Sequence, residues 1–196
     1  MRRFAITVVL SFASLAAPVL GSARSTAQSV DPVVEWNKTL LSIVRTPKAQ
    51  PATVHPTRSF AIMHAAIYDA VNAIDRTHQP YAVRVPVQTR DASQEAAAAA
   101  AAHEVLVALY PAFKSALDAE LQQSLRLIAD GRDKEAGIRL GQTVADQILG
   151  LRSNDRSNAP PVPYVFGNAP GDYQSTPPNF PKQPQFTHWS LVTPLP

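Results

Sequence analysis

The chain has 196 residues, 45 % of them hydrophobic, and no cysteine. That length suits one domain with a real core, and the lack of cysteine excludes disulfides, thiolate zinc sites and cysteine nucleophiles. Of its 18 basic residues, Arg2, Arg3 and Arg24 fall within residues 1–27, which hold no acid, so the chain from Gln28 onward carries 15 basic against 15 acidic groups. The isoelectric point near 9.4 therefore gives no argument for a nucleic-acid partner.

Met1-Arg2-Arg3 followed by the apolar run Phe4 to Leu20, with small residues at Gly21-Ser22-Ala23 and Ser25-Thr26-Ala27, predicts a cleaved signal peptide over residues 1–27. The mature chain is then expected to be secreted or periplasmic, with no stable membrane span. Residues 28–152 are predicted to form a helical bundle and residues 153–196 a wrap or crossing segment rich in proline and aromatic residues. The expected fold class is all-α: about four to five helices and a proline-rich extended C-terminal segment.

Residues 33, 36, 40, 43 and 44 make a helical stripe over Val33 to Val44. Thr46-Pro47 and the prolines at 51 and 56 predict an extended connection. Arg58 to Ile74 comes next, with Phe60, Met63, Ile67, Val71 and Ile74 on one face. Its alanines allow close neighbours, and being apolar on nearly all sides it is expected to be a central helix. Asp91 is a plausible N-cap, with Gln94 in the capping-box position. The seven alanines Ala96 to Ala102 continue into a helix stopping before Pro111. Phe113, Leu117, Leu121, Leu125 and Ile128 form a third stripe, closed by Gly131 as a C-cap. Asp133 to Leu151 is a fourth, with Ile138, Gly141, Ala145 and Ile148 on one face, and Gly137 and Gly141 predict a tight crossing. Ten of the last 44 residues are proline, so neither helix nor central strand runs far there. Tyr164, Phe166, Tyr173, Phe180, Phe186 and Trp189 argue for an ordered wrap over a disordered tail.

The five histidines (55, 64, 78, 103 and 188) offer no pair at metal-ligand spacing. His64, with Tyr68 and Asp69 nearby, reads as a core histidine bonded to a carboxylate or tyrosine. His103-Glu104 opens like a zinc-protease helix, but Val107 and Ala108 stand where a second histidine is needed. Asp69 and Asp75 fall on opposed helix faces, and Asp75 reads as a solvated helix-end acid. Arg126, Arg132, Arg139 and Arg152 are expected on the surface. No catalytic, cofactor-binding or metal-binding residue is assigned.

One pattern is informative. Val34-Glu-Trp-Asn37, Arg45-Thr-Pro47, the stretch Arg58 to Ile74 and Tyr81 resemble the opening helices of bacterial vanadium-dependent haloperoxidase-like proteins, of the type-2 phosphatidic acid phosphatase superfamily. Pro170-Gly-Asp-Tyr, Pro177-Pro-Asn-Phe180 and His188-Trp-Ser-Leu-Val-Thr-Pro194 resemble the proline-rich crossing that follows those helices. The resemblance implies an all-helical fold and, in a complete family member, a vanadate or phosphate site. That site is built from a lysine, an Arg-Pro pair, a Ser-Gly-His segment, and a later arginine and histidine. These 196 residues contain no Arg-Pro, Ser-Gly or Gly-His dipeptide, and no arginine follows Lys182.

The expectation is therefore an N-terminal scaffold portion that is inactive alone, partnered by a C-terminal helical half or a second copy, with no cofactor of its own. From a different class, the alternative is a standalone secreted helical binding protein without catalysis. A helical metalloprotein using His64 and His103 is a weaker third reading.

Overall fold

The structure, a computed structural model, describes residues 31–51, 54–86 and 91–195, so the leader predicted over residues 1–27 lies outside the described residues. Among these there are five α-helices, two short 3-10 turns and no strand, as expected for an all-α chain.

Helix α1 spans Pro32–Arg45. The Asp31 carboxylate accepts the Val33 N–H at 2.8 Å, and Pro32 occupies the first turn, where its missing donor costs nothing. Trp36, Leu40 and Ile43 are its buried side chains, a subset of the predicted stripe. Thr46 stops the helix in an extended conformation, as a residue before proline must.

Helix α2 runs over Val54–Asp75, so the connection before it is shorter than expected, and residues 46–50 turn, with Lys48 at φ +67°, where an extended run was expected. Pro56 sits in the first helical turn, where proline is tolerated. Met63, Ile67 and Ile74 are buried, together with Ile62, while Phe60 and Val71 are only half-buried.

Helix α3, Gln94–Leu109, is capped by Ser93 and not by Asp91: Ser93 Oγ accepts the Ala96 N–H at 3.1 Å. All of Ala96 to Ala102 is buried. The centre of the bundle is therefore α3, packed against α1, α2, α4 and α5, while α2, packed against α1, α3 and α5, is a central helix as expected. A helix without long side chains on any face admits neighbours all round it.

A 3-10 turn at Pro111–Phe113 leads into α4, Lys114–Arg126, which buries Leu117 and Leu125. Gly131 does not close α4. It stands at the N-cap of α5, Arg132–Arg152, with φ +151°, a conformation that excludes a side chain. Lys134 Nζ, from α5, supplies the carbonyl of Ile128 with a donor at 3.3 Å.

The predicted tight crossing lies between α5 and α3. A Cβ on Gly137 would sit 2.3 Å from the Ser93 carbonyl oxygen, and one on Gly141 would sit 2.3 Å from that of Ala97. Beyond α5 the chain has no regular element until a 3-10 turn at Thr187–Leu191, alternating turns with extended stretches. Tyr164, Phe166 and Tyr173 pack on one another, and Thr193 N–H returns to the Asp155 carbonyl at 3.0 Å. Among the described residues no single helix is long and apolar enough to cross a membrane.

Gly141→Ala is expected to lower unfolding free energy by about 1–3 kcal/mol through overpacking against the α3 backbone. Gly150→Ala, which meets no atom within 4 Å, is expected to raise it by up to about 1 kcal/mol. Urea unfolding followed by circular dichroism measures both.

Candidate functional site

The densest buried polar cluster lies where α2 meets the end of α5 and the C-terminal segment. Asp155 Oδ2 accepts from Arg58 Nε and from an Arg152 terminal nitrogen, each at 2.7 Å. Its Oδ1 accepts the Ser157 N–H at 2.9 Å, closing a tight turn just past α5. Arg152 also donates to the carbonyls of Thr193 at 2.6 Å and Pro194 at 3.0 Å, and Arg58 to that of Arg152 at 3.3 Å. The side chains of Asp155 and Arg152 are only 2 % and 6 % exposed, which makes the ion pair structural. Arg152 is therefore not a surface residue; of the four arginines expected on the surface, Arg126, Arg132 and Arg139 are exposed. Burial alone would raise the Asp155 carboxyl, but bonds from Arg58 and Ser157 outweigh it and hold the pKa at about 2.

The other side of α2 carries a series of fastenings. Asp69 is buried and accepts three backbone N–H groups, from Tyr81 at 2.6 Å, Ala82 at 2.9 Å and Val83 at 2.8 Å. Asn72 brackets His78, donating to its carbonyl and accepting its N–H. Tyr68 donates to the Gln79 carbonyl at 3.0 Å. His64 bonds the side-chain oxygen of Asn37 at 3.0 Å and stacks on Phe60, so its partner is neither the tyrosine nor the carboxylate expected. Burial lowers its pKa. Asp75 is exposed and accepts from Thr77, in keeping with a helix-end acid.

The five histidines do not converge. His103 pairs with Asp118 at 2.8 Å, and Lys114 holds the other oxygen of that carboxylate. His78 contacts Thr77. Only His55 and His188 share a neighbourhood, both against Phe186 and Trp189. Among the described residues no three histidine or acidic side chains are placed to hold a metal ion.

Two open clefts meet at Val85 and Pro86. The more polar, about 520 Å³, is lined by Asp69, Arg76, His78 and Arg84 among others, but its carboxylate is already engaged by backbone. A smaller groove of about 290 Å³ is floored by Ala61 and Ala65 and walled by His64, Tyr68, Tyr81 and Leu195.

Asp155 and Ser157 were not singled out from the sequence. An aspartate two residues before a serine just after a helix is a turn signal, but nothing marks Arg58, 97 positions away, as its partner. Compared with known proteins, the chain matches no protein-family model, no curated protein and no solved structure.

Asp155→Asn leaves Arg58 and Arg152 facing each other without a charge partner and is expected to cost about 3–5 kcal/mol. Because the native carboxyl lies at about 2 against an ordinary 3.8, its stabilisation of about 2 kcal/mol is complete above the ordinary value. It is lost as pH falls from about 4 to about 2. Urea unfolding at pH 7, 4 and 2.5 is expected to show a larger acid loss in the parent chain than in Asp155→Asn, where Asp118 and Asp130 still contribute.

Proposed function

We propose that this chain is the N-terminal scaffold portion of an exported, vanadium-dependent haloperoxidase-like protein, a helical support that turns over no substrate alone. The observation that carries the reading is how the chain uses the residues of the resemblance. Trp36 fills the core, Asn37 holds His64, and Arg58 holds Asp155. Asp69 and Asn72 clamp the loop after α2, and His188 bonds the Ser157 carbonyl. Arg58 joins the opening helices to the C-terminal segment, and the others fix the helices, the loop after α2 and the segment internally.

An oxyanion site needs cations and N–H donors converging on a cavity with their bonding capacity open. In this chain Arg58 and Arg152 share the Asp155 carboxylate and donate to carbonyls of the chain itself, and of their buried nitrogens only Arg152 Nε keeps an open donor; one such donor is not the converging set that vanadate or phosphate requires. In the complete family member the lysine, Arg-Pro, Ser-Gly-His and later histidine of the vanadate site would come from other residues, in a C-terminal helical half.

The purified chain, given vanadate, peroxide and bromide, is expected to halogenate no acceptor above a vanadate-free control and to hydrolyse no phosphomonoester. The coding DNA following codon 196 is expected to contain an open frame with the Arg-Pro and Ser-Gly-His motifs. Turnover by this chain alone, or unrelated sequence at that place, overturns the reading.

A second reading, a standalone secreted binding protein, is favoured by the groove beside Tyr68 and Tyr81, whose rings are 40 % and 46 % exposed. The two differ in solution behaviour. A scaffold portion purified as residues 28–196 is expected to bind a hydrophobic dye and to self-associate through the apolar surface its other half would cover. A standalone protein stays dark and monodisperse.

A further inference from the structure

We propose that the turn Phe186–Leu191 is an acid-released strap, closed over His55 and opened when that imidazole takes up a proton. The strap is independent of the scaffold reading. His55 lies in the first turn of α2, and its ring meets Phe186 and Trp189 nearly edge to face, with centroids 5.1 Å and 4.9 Å away. These contacts bridge α2 and the turn through one titratable ring. Just beyond, Arg152 grips the Thr193 and Pro194 carbonyls. The turn therefore has a fixed hinge on one side and an aromatic clasp on the other.

The groups acting on His55 disfavour a positive charge there. Arg58 faces it from α2 itself, and His188 faces it from the turn. His188 is buried. Its Nε2 lies 3.2 Å from the Ser157 carbonyl, which only accepts, so the proton sits on Nε2. Its Nδ1 has no partner and points to no acid. At the end of α5, Asp155 is the carboxylate of the joint, and Arg58 and Arg152 already hold it. An imidazolium at His55 thus gains no counter-ion while the strap is closed.

Burial first, then Arg58 and His188, lower the His55 pKa below its ordinary 6.5. The sign follows from proton linkage: the closed form binds fewer protons than the open one. Closure is complete above the ordinary histidine value and weakens as pH falls below it toward the lowered one. Asp155, held at about 2, keeps its ion pairs throughout that window, so the hinge and the bundle stay in place while the strap loosens.

Amide hydrogen exchange of the full chain at pH 7.5 and pH 5, corrected for intrinsic rates, tests this. Exchange at residues 186–191 is expected to rise several-fold at pH 5 while α3 remains protected. His55→Phe, which keeps an aromatic ring and cannot titrate, is expected to protect the strap equally at both values. If that variant does not fold by circular dichroism, His55→Gln serves in its place and is expected to give a strap whose exchange does not depend on pH. His188→Gln, which retains a donor for the Ser157 carbonyl, is expected to keep the acid response. Three outcomes overturn the proposal: no acid response in the parent chain, tightening in acid, or a response that survives loss of His55 and disappears with loss of His188.

Discussion

Helices α3 and α5 meet backbone to backbone at Gly137 and Gly141, where even a methyl group would collide with a carbonyl oxygen of α3. That separation sets the scale of the bundle. α3 presents alanine on every side from Ala96 to Ala102, and alanine contributes only about 0.8 kcal/mol of burial per methyl group. Such a helix contributes to a stable core only if its neighbours come close enough for backbone atoms to make the contacts that larger side chains make elsewhere. The larger apolar groups come from the surrounding helices and from the C-terminal half of α3: Trp36 and Leu40 from α1, Ile62 and Met63 from α2, Val105 and Leu106 from α3, Leu117 from α4, and Val144 and Ile148 from α5.

The second constraint is electrostatic and ties the proline-rich segment to this bundle. Proline removes donors and prevents regular pairing, so the segment after α5 has few backbone bonds with which to dock. It docks through side chains instead. Asp155 turns the chain out of α5 and pins Arg58, while Arg152 holds the carbonyls of Thr193 and Pro194. Removing these groups from water is costly, and only their mutual pairing offsets it. The same pairing decides their chemistry. Guanidiniums that pair with a buried carboxylate position the chain and do not present themselves to a ligand.

Much of the secondary structure was legible because it rests on local rules. The stripe in α1, the end of α3 before Pro111, the span of α5 and its glycine crossing all follow from periodicity, from proline's missing donor and from glycine's missing side chain. The misplacements share a cause. Asp91 and Ser93 are both competent caps, and only where the chain enters α3 selects the serine. Gly131 reads equally well as the end of one helix or the start of the next, and its φ of +151° at the head of α5 decides it. His64 has a tyrosine and an aspartate close in sequence, yet its partner is Asn37 on α1, because Asp69 faces the loop and saturates its oxygens with three N–H groups.

By itself the sequence determined the all-helical class, most helix boundaries and the close approach of α5, since these depend on residues within a few turns of one another. It determined as well that no cysteine chemistry is available. Only the tertiary structure decided that α3 is the centre of the bundle and what Arg152 does. It also decided which histidines meet, bringing His55 and His188 to the same pair of aromatic rings. The physical reason is range. Helix propensity and capping act along the chain, whereas a buried charge or ring takes its partner from whatever packing brings beside it, and Arg58 finds Asp155 only after three helices, α3 to α5, have intervened.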